Sequence, residues 1–234
     1  MLLGPNTVYK CPNCENLITN GSLMSGNTNG AKIYSDGRMF ATMYPEYPEI
    51  TKCRNCDAIF WLNKIEEIGS YNWGDADNQD WENADEADFL YLDDYFRALK
   101  SGLATDKDEE IYIRENIWWA YNNRIRGGKK IFETNEDELV WKKNVKKLLE
   151  LLDHSEEGDQ IMVAELYRNL GNYKESISIL KGIDNEYQNS VKKKLLKACK
   201  QKNRWVFLLN DDEESNAIKA KFKNIYRKIT SLFQ

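Results

Sequence analysis

Apolar and polar positions alternate in two different rhythms along the 234-residue chain. Up to about residue 65 the apolar residues come in short runs broken by Gly, Asn, Ser and Pro. That rhythm predicts short strands and turns rather than helices. Val8-Tyr9-Lys10 and Ile59-Phe60-Trp61-Leu62 are two such runs, and Ala31-Lys32-Ile33-Tyr34 and Arg38-Met39-Phe40-Ala41-Thr42-Met43 are two more. The last two are joined by Ser35-Asp36-Gly37, and an Asp-Gly step between extended runs predicts a hairpin. Tyr44-Pro45-Glu46-Tyr47-Pro48 is expected to be extended and irregular, because a proline bars the residue before it from helix.

Beyond about Asp85 the apolar residues recur at three- and four-residue steps, and no proline follows Pro48. This predicts helices over 86–100, 108–125, 135–153, 157–170, 173–182, 185–201 and 214–232, with a short piece near 204–209. Thr105-Asp106 and Thr134-Asn135 supply N-cap side chains, and Gly127-Gly128, Gly158 and Gly171 supply stops. Between the two rhythms, Asn72 to Asp88 is rich in Asp, Asn and Gly yet holds Trp73 and Trp81. Two large rings are expected to pin this acidic segment onto a neighbouring domain. The expected architecture is α+β: a small β domain over 1–70, an acidic connection over 71–87 and a larger all-α domain over 88–234.

Five cysteines punctuate this pattern, four of them in two Cys-x-x-Cys pairs. Lys10-Cys11-Pro12-Asn13-Cys14 and Lys52-Cys53-Arg54-Asn55-Cys56 have the same form. Two residues between cysteines let a tight turn aim both sulfurs at one ion, and four thiolates close a tetrahedral site. The expected ligands of one structural zinc ion are therefore Cys11, Cys14, Cys53 and Cys56. A thioredoxin-like redox pair would open a helix after a strand, which neither pair does, and disulfides conflict with the cytoplasmic setting expected below. Cys199 lies on the apolar side of its helix and reads as a core thiol. The paired knuckles resemble zinc ribbons, although thirty-eight residues separate them, more than the usual spacing of about fifteen to twenty. The hairpin at Ser35-Asp36-Gly37 is then an elaboration between the knuckles.

Met162 to Asp184 resembles one tetratricopeptide repeat through Ala164, Tyr167, Gly171, Tyr173, Ser176 and Leu180. Ser176 stands where the repeat usually has alanine, and the closing proline is missing. The resemblance implies stacked antiparallel helix pairs with a concave face that binds peptides or proteins. A generic helical bundle with the same spacing is the alternative.

The net charge of -5 is small, but its distribution is uneven. Tyr71 to Glu110 holds thirteen acids against three bases, and Ser190 to Gln234 holds twelve bases against four acids. The acidic middle disfavours a nucleic-acid surface there. The start of the chain lacks the charge and apolar pattern of a signal peptide, and no stretch is apolar over a bilayer's thickness, so a soluble cytoplasmic protein without a membrane partner is expected. Catalytic signals are poor. His154, the one histidine, sits at a helix end, and no phosphate-binding glycine loop is present. Asp75, Asp77 and Asp80 lack the downstream glycine and glutamate of a calcium loop. The expectation is a non-enzymatic interaction protein with a protein partner and no small-molecule substrate. Trp118, Trp119, Tyr121, Tyr167 and Tyr173 are its candidate contact residues. Two alternatives are an immunity or inhibitor protein masking a basic toxin with its acidic segment, and a nucleic-acid-binding ribbon using Lys10, Arg38, Lys52 and Arg54.

Overall fold

The computed structural model describes residues 1–72, 74, 79–185 and 188–210. The expected helix over 214–232, and the sequence features Trp73, Asp75 and Asp77, lie outside the described residues. The described chain divides into two units: Met1–Asn29 with Ala41–Leu103, and Gly30–Phe40 with the described residues from Ala104 onward. This division differs from the expected boundaries at two points: the described residues over 71–103, of which the stretch over 88–103 was expected in the all-α domain, belong to the β-rich unit, and the expected β domain loses a segment. The hairpin between the two cysteine pairs belongs to the helical unit and not to the β unit.

The first unit is built on short strands: β1 (Leu2–Leu3), β2 (Asn6–Lys10), β3 (Leu17–Asn20) and β4 (Leu23–Ser25). β2 and β3 are antiparallel in register Lys10↔Leu17, and β1 pairs with β4. In the second unit, β5 (Lys32–Ile33) and β6 (Met39–Phe40) form the hairpin around Ser35-Asp36-Gly37. Returning to the first unit, β7 (Ile50–Lys52) and β8 (Ile59–Trp61) are antiparallel in register Lys52↔Ile59. β9 (Glu67–Tyr71) and β10 (Asp85–Glu86) complete a four-stranded sheet of order β10-β3-β2-β9. Ile18, Phe60, Leu62 and Ala87 pack with Cys11 and Cys53 into the core of this unit. Val8, Ile50, Trp61, Leu90, Tyr95 and Ala98 of the same unit are buried as well.

The first unit also holds α1 (Gln79–Glu82), α2 (Leu92–Lys100) and a 3-10 turn over Leu62–Lys64. Trp81 of α1 packs on Tyr71 with ring centroids 6.4 Å apart and lies over Gly69. This is the pinning expected of Trp81. The segment over 86–91 is not helical: Ala87 donates to the Thr19 carbonyl at 2.7 Å, and the helix starts only at Leu92.

The second unit continues with α3 (Lys107–Arg126), α4 (Asn135–Leu151), α5 (Glu157–Asn169), α6 (Tyr173–Gly182) and α7 (Asn189–Lys200). The starts of α3 and α4 follow the predicted caps. Asp106 accepts from the Glu109 amide at 2.9 Å and Thr134 from the Asp137 amide at 3.1 Å. Each third residue also reaches back to the residue before the cap, Glu109 to the Thr105 amide at 2.7 Å and Asp137 to the Glu133 amide at 2.9 Å, which fixes the chain's entry into the helix. α3 packs on α4, α5 on α6, and α6 on α7. Ala164 and Ser176, the small residues of the repeat-like segment, are buried on α5 and α6, and Gly171 between them takes a φ of 85°. The short apolar run near 204–209 is not a helix. Leu209 donates to the Ile33 carbonyl at 2.7 Å, Ser35 donates to the Phe207 carbonyl at 2.9 Å, and Tyr34 forms an antiparallel bridge with Leu208. Extended pairing wins because the hairpin edge offers donors and acceptors to it. No described helix is long and apolar enough to cross a membrane.

Candidate metal centre

Each cysteine pair sits at the end of a strand pair, and the two ends are built alike. Cys11 donates its amide to the Asn16 carbonyl and accepts from the Glu15 amide, both at 2.9 Å. Cys53 repeats this with Ala58 and Asp57, again at 2.9 Å. The residue after each second cysteine turns the chain through the left-handed region, with φ of 60° at Glu15 and 58° at Asp57. Asp tolerates that region better than Glu, so the first knuckle is the more strained of the two. β2 and β3 fix the first turn, and β7 and β8 fix the second.

The four sulfurs converge, with every one within 4.8 Å of the others. Cys11 Sγ lies 3.6 Å from Cys56 Sγ, and Cys14 Sγ lies 3.6 Å from Cys53 Sγ. A disulfide needs a separation of about 2.05 Å, so these are free thiols. A tetrahedron of sulfurs about 2.3 Å from a central ion has an edge of roughly 3.8 Å. The two 3.6 Å spacings are close to that edge, and the four side chains could hold one metal ion.

The thiols differ in their surroundings. Asn55 Nδ2 donates to Cys14 Sγ at 3.4 Å and draws that thiol down to about 6. Burial pushes Cys53 up to about 12 and also raises Cys11. A divalent ion would replace the protons on both buried thiols, since only thiolate is a ligand.

Charges surround the second knuckle. Lys52 Nζ meets Asp94 at 2.9 Å, and Arg54 pairs with Asp88 and lies 3.8 Å from Asp85. Arg97 bridges Asp94 at 2.8 Å and the Asp57 carbonyl at 3.2 Å. The acids at 85, 88 and 94 are thus engaged within their own unit. Arg38 belongs to the other unit and stacks on Trp119, 4.6 Å from the ring centre. The four basic residues proposed for nucleic acid are not presented as one unpaired patch within either unit.

The five aromatic contact candidates differ in their surroundings. Trp118, Trp119 and Tyr121 are buried. Their polar ends are used inside the helical unit: Trp118 Nε1 donates to Asn169 at 2.8 Å, Trp119 Nε1 to the Asp36 carbonyl at 3.0 Å and Tyr121 Oη to Asp137 at 2.6 Å. A 20-residue helix with aromatic residues on several faces is enclosed by its neighbours. Tyr173 donates to the Lys202 carbonyl at 2.8 Å. Tyr167 borders an open groove, with Lys107, Leu149 and His154. His154 Nε2 is 2.8 Å from the Leu149 carbonyl in the last turn of α4, the helix-end position expected of it. Cys199 is buried 3.3 Å from Ser176 Oγ, as a core thiol should be.

A buried polar cluster that the sequence did not single out lies in the helical unit. The Asp36 carboxylate is fully enclosed and is met by Asn122 at 2.7 Å and by Arg126. Glu165 and Arg168 form an ion pair with neither side chain exposed, and Ser35 Oγ donates to Glu165 at 2.7 Å.

Fold and site define an α+β protein with a four-cysteine cluster in its β-rich unit and a helical second unit. No protein-family model, curated protein or solved structure gives a significant match to this chain.

Proposed function

We propose that the chain is a non-enzymatic cytoplasmic interaction protein, in which one structural zinc ion organises a ribbon-like unit and a tetratricopeptide-like unit carries the partner surface. The observation that carries this reading is the convergence of Cys11, Cys14, Cys53 and Cys56 on one point. Four thiolates fill a tetrahedral sphere, so the ion has no open position for a substrate and acts as scaffold. Zinc suits such a set, and an iron centre is the chemical competitor. The helical unit is supported as the partner-binding part by the small buried residues Ala164 and Ser176 and by the groove beside Tyr167.

Metal analysis of the chain purified under reducing conditions should give one zinc per chain, and Cys53→Ser should abolish it. Iron, or no metal in the native chain, would refute the zinc assignment. For the partner, capture from native lysate should yield a protein that Tyr167→Ala, retaining its zinc, fails to retain. Equal capture by both chains would remove the groove from the proposal.

A further inference from the structure

The Ser35-Asp36-Gly37 turn is held in the helical unit by hydrogen bonds to both of its side chains and to its backbone. Asp36 Oδ2 accepts from Asn122 at 2.7 Å and from Arg126, and Oδ1 accepts from the Arg38 amide at 3.3 Å. The Asp36 carbonyl accepts from Trp119 Nε1 at 3.0 Å. Ser35 Oγ donates to Glu165 at 2.7 Å and accepts from the Phe207 amide at 3.2 Å. Asn210 holds the outer end, accepting from the Ile33 amide at 2.8 Å and donating to the Ala31 carbonyl. A carboxylate with no exposed surface is tolerable only in this setting, because elsewhere in the interior it would lack its partners.

The same turn is the middle of the segment that joins Cys14 to Cys53. The chain leaves the β unit after Asn29, returns at Ala41 and leaves it again after Leu103. Each connection from the hairpin to the rest of the helical unit therefore runs through the β unit, whose core includes Cys11 and Cys53.

We infer that the 30–40 hairpin is a metal-linked latch: an ion at Cys11, Cys14, Cys53 and Cys56 holds the Asp36 turn in the helical unit, and loss of the ion releases it. The inference rests on the metal reading above. With the β unit folded, segment 41–103 is already collapsed, and docking the turn orders only the hairpin. With that unit unfolded, the same docking must also close a long flexible loop, an entropic cost on the order of a tenfold to hundredfold loss in docking. Thermodynamic linkage makes the effect reciprocal. A change that weakens the Asp36 docking weakens metal binding through the same coupling.

Hydrogen exchange on the intact, reduced chain, with one equivalent of zinc loaded and then removed stepwise by a chelator, tests this directly. Exchange over 31–40 should rise at least tenfold in step with metal loss, while α5 and α6 stay protected. Asp36→Asn, which keeps the shape and removes the charge, should raise exchange over 31–40 with zinc still bound and should lower zinc affinity. Unchanged protection over 31–40 after the metal has left overturns the latch. So does loss of protection across the whole helical unit at once, or an Asp36→Asn chain that behaves as wild type in both readouts. A native chain that takes up no zinc, seen in its metal content before any chelator is added, removes the underlying metal reading instead, and the latch with it.

Discussion

Glu165 and Arg168, one turn apart on α5, form an ion pair in which neither side chain has any exposed surface. Burial raises the Glu165 carboxyl, and the Arg168 guanidinium pulls it the other way. Arg168 also donates to the carbonyls of Asn203 and Trp205, so it ties the last described segment to α5. Arg168→Met should cost about 3–5 kcal/mol of the helical unit's stability, because it leaves a buried carboxylate without its counter-charge. Glu165→Gln combined with Arg168→Met should lose less than Arg168→Met alone. Urea unfolding followed by far-UV circular dichroism measures both, and a double variant no better than the single one would refute the charge argument.

The cysteine cluster makes a second prediction, independent of the hairpin. Chelation under reducing conditions should unfold the β unit, since thiolate ligation contributes on the order of 10 kcal/mol and Cys11 and Cys53 lie among its buried apolar residues. Trp61 reports it well, being buried with its indole N–H on the Leu103 carbonyl at 3.1 Å. Its emission should shift to longer wavelength on metal loss and return when zinc is restored. The Trp61→Phe variant gives the background from the remaining tryptophans. A Trp61-dependent signal that ignores the chelator while the thiols become titratable would show that the metal does not organise this unit.

How much of this was legible in the sequence depends on whether the signal is local. The knuckles were readable because Cys-x-x-Cys sets the sulfur geometry within one turn, and the matching forms at Cys11 and Cys53 pointed to one shared site. The helix caps at Asp106 and Thr134 were equally local. The hairpin itself was foreseen from Asp36-Gly37, but its destination was not, because Asn122, Arg126 and Glu165 lie far away in sequence. A charge pair at Glu165 and Arg168 reads as a solvated helix face until tertiary packing encloses it. Phe207-Leu208-Leu209 is too short for periodicity to separate helix from strand, and the neighbouring hairpin decides it.

Gly69 carries a third prediction. A Cβ there would lie 2.3 Å from the Trp81 ring, and the residue has a φ of 155°. Gly69→Ala should therefore displace Trp81 and loosen the packing of α1 on β9, at a cost of about 1–3 kcal/mol. Gly69→Ala combined with Trp81→Ala should recover part of the strain while losing the ring's burial. Thermal unfolding of the metal-loaded chain measures the difference. If Gly69→Ala melts with wild type, Trp81 is not held where it would obstruct a side chain.

The last prediction concerns pH. Glu49 is half-buried, its Oε2 has no hydrogen-bond partner among the described residues, and burial raises its carboxyl to about 7 from an ordinary 4.5. The folded chain thus holds this proton more tightly than the unfolded chain does. Its contribution to stability is fully present below pH 4.5, declines as pH rises, and is lost above about 7. Solvent reaching the exposed part of the group screens the effect, so the loss should be roughly 1–2 kcal/mol rather than the full linkage value. Glu49→Gln, which keeps the shape and cannot ionise, should match wild type near pH 4 and exceed it by that amount near pH 8. Taking the difference between the two chains at each pH cancels the pH dependence that they share. A difference that stays flat from pH 4 to pH 8 would mean that the Glu49 carboxylate is as well solvated in the folded chain as in the unfolded one.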